Sequence, residues 1–467
     1  MFDIIIEHSF FIERDNMKYL QLREKYDKFI YKDYKIEEDE ENIYLKYFFE
    51  IENLTTFEPE IKICKKKLEI FDLYGDVAQN AVFNIGMIEA ISYFKATCSK
   101  VFLVKCGKLN DSQVKWYKKL IYLGLGEFRY INKINISEDE FVDIISEGKR
   151  FEVCKLNYDL ADVVIPVGGG KDSNVSLELL KKLNCQRYAF RINMEDVSQK
   201  CIELAGIEDE NVIEIKRKID PNLIKLNEQG FLNGHTPFSS LVAFLTYFVS
   251  VIFGKKYIAL SNEDSANESN VEGENINHQY SKTFEFENDF RKYVKENICT
   301  NGPEYFSFLR PISEIQIAKL FSKLEKYHTV FKSCNVGSKS KPWRWCCDCP
   351  KCLFAFVILS PFLYKEKLVK IFGEDLFEKE KLKQTFIELC GYGSQKPFEC
   401  VGTYKEVRFA VSETIKELKK KKQNLPVLLK YFNENFETVE FDILNYYSNE
   451  NNLPKEFDEI LKGEIYS

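Results

Sequence analysis

Apolar positions along the chain come in short runs separated by amphipathic stretches, and their spacing predicts an alternation of strands and helices. Residues 16–36 are highly charged, which predicts helix or loop. From Asn42 the pattern changes: apolar and aromatic positions at 43–51 and 57–63 read as two strands joined by a turn at 53–56. A helix with an early Gly86 is expected over 84–96, a short strand over 101–104, and a helix from Asp111 through Leu120. The turn Leu123-Gly124-Leu125-Gly126-Glu127-Phe128 follows. In this part a buried Lys or Glu is expected to be paired in the core rather than catalytic.

The middle of the chain is organised around one transition. The β-branched run Val163-Val164-Ile165 empties into Gly168-Gly169-Gly170-Lys171-Asp172-Ser173, and an amphipathic stretch begins at Val175. That order reads as strand, tight turn and helix start. Further strands at 186–192, 211–215 and 257–260 alternate with helices at 197–204 and from Leu241. Such alternation predicts an α/β fold with a mostly parallel open sheet and helices on both faces. Beyond it come a cysteine-rich segment, a hydrophobic helix at 354–363 and small peripheral helices. The expected organisation is an N-terminal α+β block (1–150) that binds substrate, an α/β domain (151–330), and a cysteine-cluster and helical C-terminal region (331–467).

Composition narrows the class. A length of 467 residues allows about two to four domains, and 45% apolar content argues against disorder. The net charge of −7, with both signs interspersed, argues against a nucleic-acid footprint. The lysine runs at 65–67 and 419–422 read as solvated helix surface. The opening residues Met1-Phe2-Asp3-Ile4 lack the basic start and long apolar run of a secretory leader. The apolar tract at 241–252 is too short to span a bilayer. Fourteen cysteines, four of them crowded into 346–352, suit a reducing cytoplasm and a metal site better than a disulfide frame.

Three groups of residues carry chemistry. Glycines at 168–170 leave backbone N–H groups uncovered for an anion, and the following helix start adds its own unpaired N–H groups. Lys171 supplies positive charge and Ser173 a hydroxyl donor. Asp172 fits a phosphate site only if a divalent cation bridges the two. The loop is neither a Walker A sequence nor a G-x-G-x-x-G turn; the bland alternative is a structural glycine turn. The second group is polar: Asn233 to Ser240 with His235, Ser261 to Ser269 with Glu263 and Asp264, and the amide-rich stretch around His278 and Lys282. Acidic residues directly after a core strand lie where open α/β sheets bind ligands, unless they form a solvated loop. In the third group, Cys346, Cys349 and Cys352 are spaced by two residues each and Cys334 supplies a fourth thiolate. That is a tetrahedral zinc set with Cys347 left over; an iron–sulfur cluster or metal-free buried thiols are the competing readings. Four thiolates would make the metal structural. Lys339, Lys341 and Arg344 lie nearby and suit phosphate or carboxylate.

The loop resembles that of the N-type (PP-loop) ATP pyrophosphatases, whose usual form is Ser-Gly-Gly-x-Asp-Ser; here Gly168 replaces the first Ser. Loop and cysteines together resemble the queuosine-precursor synthases. A longer resemblance is to the UDP-N-acetylmuramoyl-L-alanyl-L-glutamate epimerases. It is carried by Gly86 to Glu89, Gly124 to Glu127, the loop at 168–173, Asn233 to Pro237, Ser261 to Glu263, Asn277 to Ser281, Trp345-Cys346 with Cys349 to Cys352, and Lys396 to Gly402. This resemblance implies a PP-loop fold and ATP-dependent inversion of the terminal L-Glu of UDP-MurNAc-L-Ala-L-Glu, with release of AMP and pyrophosphate. It implies ATP and Mg²⁺ held by 168–173, with Asp172 as metal ligand and Lys282 and Arg344 as further phosphate contacts, and a structural Zn²⁺. Lys171, His235, Glu263, Asp264 and His278 are then the catalytic candidates. The alternative functions are another adenylating enzyme that forms an amide or modifies a nucleotide, and a zinc-stapled scaffold without catalysis.

Overall fold

The computed structural model describes residues 16–66, 68–193, 196–271, 276–340, 342–393 and 395–466. The opening residues on which the leader argument rests lie outside this set, as does Lys341. Among the described residues, eleven strands join in one sheet: β1 (Lys28–Glu38), β2 (Asn42–Ile51), β3 (Thr55–Phe57), β4 (Glu60–Cys64), β5 (Val101–Val104), β6 (Asp143–Ser146), β7 (Ala161–Pro166), β8 (Arg187–Ile192), β9 (Val212–Lys218), β10 (Lys255–Leu260) and β11 (Glu304–Ser307). Their order is β11-β10-β7-β8-β9-β4-β2-β1-β5-β6, with β3 on β2. From β11 to β9 every neighbour is parallel. The pairs β9–β4, β4–β2 and β2–β1 are antiparallel, and β1–β5 and β5–β6 are parallel again. The sheet is therefore open, mixed and mostly parallel, as the alternation predicts. It continues without a break from the N-terminal strands into the central ones, with Ile63 of β4 opposite Ile215 of β9.

Short β-branched runs explain the central strands: Val163, Val164 and Ile165 are fully buried, as expected of a strand covered on both faces. The charged stretch 16–36 departs from the sequence reading in its second half. It contains the helix Met17–Lys25 and then β1. Phe29 and Tyr31 face the core. The charges that argued for helix or loop find partners across the strands instead, Lys32 with Glu50 at 2.9 Å and Lys46 with Glu37 at 2.5 Å. The helix expected at 84–96 spans Asp76–Phe94 and is buried almost all round. Its Glu89 accepts three bonds from Arg217, at 3.1, 2.8 and 3.0 Å, so that buried acid is a core pair.

Two apolar cores flank the sheet. One unites the N-terminal strands with the helices Asp76–Phe94 and Phe238–Ile252. The other packs Lys171–Leu179, Glu314–Ser322 and Pro350–Leu359 with the C-terminal helices. The last helix, Lys455–Ile465, is tied to β10 and β11 by Phe457, whose ring lies 5.0 Å from Tyr257 and 4.8 Å from Phe306. No described helix is long and apolar enough to cross a membrane.

Candidate active site

The carboxyl ends of β7, β8 and β10 open onto a cavity of about 480 Å³. The turn after β7 forms its floor. Gly169 has φ +82°, and a Cβ there would lie 2.8 Å from Val197 Cγ1 and 3.2 Å from the Ser198 amide. Gly168, by contrast, has nothing within 4 Å of its Cβ direction, so the Ser of the usual loop has room in this chain. Gly170 precedes the helix Lys171–Leu179, whose first-turn N–H groups face the loop. Ser173 Oγ donates to the Gly170 carbonyl at 3.1 Å.

Lys171 is buried and ion-paired to both Asp172 and Glu314. Burial alone would lower its pKa, but the two carboxylates outweigh burial and raise it. Glu314 opens the helix Glu314–Ser322 behind a Ser313 cap. Its own pKa is raised, first by burial and then by Asp172, Glu263 and Glu406, against the opposing pull of Lys171. Glu406 accepts the Glu314 amide at 2.7 Å, and burial pushes its pKa up to about 7. Asp172 and Glu314 thus place two carboxylates on the one ammonium at the loop.

On the far side, short turns and loops bring a second cluster beside the cavity, with Lys282 and Cys400 in the lining itself. His278 pairs with Glu127 through Nδ1, and His235 Nδ1 lies 3.8 Å from the same carboxylate. The two imidazole centroids are 4.2 Å apart. Burial depresses His235 to about 3, helped by His278, Lys282 and Lys95. Burial also opposes the charge on His278, yet hydrogen bonds to Cys400 and Glu127 raise it to about 9. Lys282 Nζ donates to Cys400 Sγ at 3.1 Å. The fully buried Arg310 holds this side together: it donates to the Glu263 carbonyl at 2.6 Å and to the Lys282 carbonyl, and lies 3.7 Å from Glu287. Arg310→Met is expected to cost about 3–5 kcal/mol in urea unfolding, because it strands Glu287 and two carbonyls. A loss below about 1 kcal/mol would show that Arg310 does not tie the site.

The four clustered cysteines lie outside the cavity lining but frame a segment that reaches it. Sγ distances are 3.8 Å for Cys334–Cys349, 3.7 Å for Cys346–Cys352 and 3.5 Å for Cys349–Cys352. Tetrahedral Zn–S bonds of about 2.3 Å require sulfurs about 3.8 Å apart, so the set fits a metal ion. The Gly337 amide donates to Cys334 Sγ at 3.1 Å. Cys347 turns away to the Phe372 carbonyl at 3.1 Å. Between the thiolates, Asn335, Trp343 and Lys351 reach the cavity.

Residues 21–308 match the model of the MurL N-terminal domain, and residues 330–441 match that of the MurL C-terminal domain. The chain belongs to the MurL family. It is 34% identical over 333 residues to a Micromonospora protein named UDP-N-acetyl-alpha-D-muramoyl-L-alanyl-L-glutamate epimerase, covering 70% of this chain and 72% of that one. Proteins of the same name from Salinispora tropica (35% over 333 residues, 70% and 71% covered) and Xanthomonas oryzae pv. oryzae (33% over 348 residues, 72% and 74% covered) are similar. Membership makes the chain an epimerase-class enzyme.

Within this MurL chain the structure gathers Gly168, Gly170, Lys171, Asp172, Ser173, Glu263 and Lys282 on one cavity wall or another. His235 and His278 stand beside it, joined through Glu127. Asp264 is bound by the Tyr446 hydroxyl at 2.9 Å and lies outside the lining. Arg344 is exposed and also outside it. Sequence reasoning missed Glu127, Glu314 and Cys400 as site residues. The clue for Glu127 and Cys400 was present: each sits in a segment that carried the family resemblance. Glu314 had none, since an acid after a capping Ser is ordinary helix chemistry.

Proposed function

We propose that the chain inverts the terminal L-Glu of UDP-MurNAc-L-Ala-L-Glu to D-Glu through an acyl-adenylate, releasing AMP and pyrophosphate for peptidoglycan synthesis. The observation that carries this reading is that the glycine loop, Lys171 and Asp172 share one cavity with Glu263 and Lys282, and that His235 and His278 stand beside it. A carboxylate holds its Cα proton tightly, because a dianion has nowhere to place its charge. Adenylation turns the carboxyl into a neutral electron sink, which makes removal of that proton feasible.

In this reading the N–H groups of 168–170, Ser173 and Lys171 hold the leaving pyrophosphate as the glutamyl carboxylate attacks the α-phosphorus of ATP. Asp172 and Glu314 would hold Mg²⁺, which offsets phosphate charge. Lys282 faces the carboxyl and its developing enolate. His235, His278, Glu263 and, from just outside the lining, Asp264 are the candidate proton carriers. The cysteine set would hold Zn²⁺ as a staple, with no open position for substrate. The N-terminal block contributes Glu127 and the flank on which the nucleotide sugar rests. ATP and a UDP-linked precursor are cytoplasmic substrates.

The test is incubation with ATP, Mg²⁺ and UDP-MurNAc-L-Ala-L-Glu in deuterated water. AMP, pyrophosphate and a D-glutamyl product carrying deuterium at Cα are expected together. AMP release that occurs only when an amine is added would overturn the reading in favour of an amide-forming adenylating enzyme.

A further inference from the structure

Outside the sulfur cluster, Cys400 stands apart from the other thiols. Cys98, Cys106, Cys201 and Cys347 are held up at about 12, 12, 11 and 12 by burial. Cys400 is subject to the same burial, yet Lys282, Lys351 and His278 together bring its pKa well below the ordinary thiol value. The geometry gives the cause. Lys282 Nζ donates to the sulfur at 3.1 Å, and the charge of His278, held by Glu127, acts on it as well. Glu399 is the acid facing it; that carboxyl is turned to Asn335 Nδ2 at 3.1 Å. The backbone is pinned as well: Asn270 donates to the Pro397 carbonyl at 2.9 Å and accepts the His278 amide at 2.8 Å. Cations converging on one sulfur have no packing rationale, because apolar groups of similar volume would fill the space without desolvated charge. The sulfur also lines the cavity that holds the phosphate loop.

Resting on the proposed epimerase reading, we propose that Cys400 is the catalytic base that removes the glutamyl Cα proton. The thiolate lone pair forms an S–H bond as the Cα–H bond breaks, and its electron pair moves onto the acyl oxygen of the adenylate. Lys282, no longer opposite an anion, then stabilises that oxygen. Water on the other face returns a proton to Cα, the C=O bond re-forms, and a second water cleaves the acyl–phosphate bond to release AMP and the carboxylate. The thiol proton leaves through His278 and Glu127 to solvent. His278 is the poorer base, because Glu127 engages its Nδ1 and holds it charged, and neither imidazole lines the cavity.

Cys400→Ser and Cys400→Ala separate the half-reactions. In deuterated water both variants are expected to release AMP and pyrophosphate while deuterium at Cα and D-product fall by about 10²–10⁴-fold. Wild-type protein that releases no AMP would defeat the epimerase reading itself, a distinct outcome. Inversion by Cys400→Ser at the wild-type rate overturns the base, as does loss of AMP release with unchanged melting, which would assign Cys400 to ATP binding. A glutamyl thioester on Cys400, seen by intact mass, overturns it in favour of a nucleophile. Alkylation of native wild type needs no variant to fold: with iodoacetamide at pH 6, Cys400 is expected to react before Cys64 and to be protected by ATP, and slower reaction of Cys400 than Cys64 overturns the proposal.

Discussion

Gly169→Ala is expected to lower ATP-dependent release of AMP and pyrophosphate by about 10²–10³-fold, the effect of losing a preorganised donor to developing charge. The loop needs Gly169 for two separate reasons. Its φ of +82° is strained for any L side chain, and the added Cβ would stand 2.8 Å from Val197 Cγ1 and 3.2 Å from the Ser198 amide. Val197 lies on the buried face of the helix Asp196–Leu204 and cannot yield freely. The loop must move instead, and its N–H groups move with it. Gly168→Ala is the matched control, because nothing lies within 4 Å of the position its Cβ would take. Single-turnover AMP release should therefore fall sharply in one variant and little in the other, with similar melting. Equal losses would mean that glycine content, rather than the shape of the turn at Gly169, sets the rate.

The contrast between those two glycines was not legible in the sequence, where 168–170 read as one run. Other features were legible. The strand–turn–helix at 161–179 needed only β-branched residues followed by glycines, a local signal with little competition from tertiary packing. The gathering of Cys334, Cys346, Cys349 and Cys352 was readable because thiolate spacing carries its own chemistry. Strand β1 was not, since its charges are accommodated by partners on β2 that the local pattern does not reveal. The same holds for Glu314 and Cys400. Each takes its character from residues more than a hundred positions away, Lys171 for Glu314 and Lys282 for Cys400. Burial and charge then shift them in opposite directions, a distinction that composition cannot carry.

Cys349→Ser is expected to remove a tightly held metal, near one zinc per wild-type chain, and with it the wall of the cavity. Structural zinc contributes on the order of 10 kcal/mol to the segments it ties. Here those segments span 334–352 and carry Asn335, Trp343 and Lys351 into the cavity. Cys349 lies 3.8 Å from Cys334 and 3.5 Å from Cys352, so losing it breaks the link between the upstream thiolate and the helix Pro350–Leu359. A large drop in melting temperature and loss of ATP turnover should accompany the metal. Cys347→Ser should behave differently. Its thiol donates to the Phe372 carbonyl at 3.1 Å, outside the sulfur cluster, and a serine hydroxyl keeps that donor at a cost of about 1 kcal/mol. Zinc content measured by plasma mass spectrometry, together with melting curves, decides the matter. Metal-free wild-type protein with normal melting would show four idle thiols, and equal metal loss in both variants would place Cys347 among the ligands.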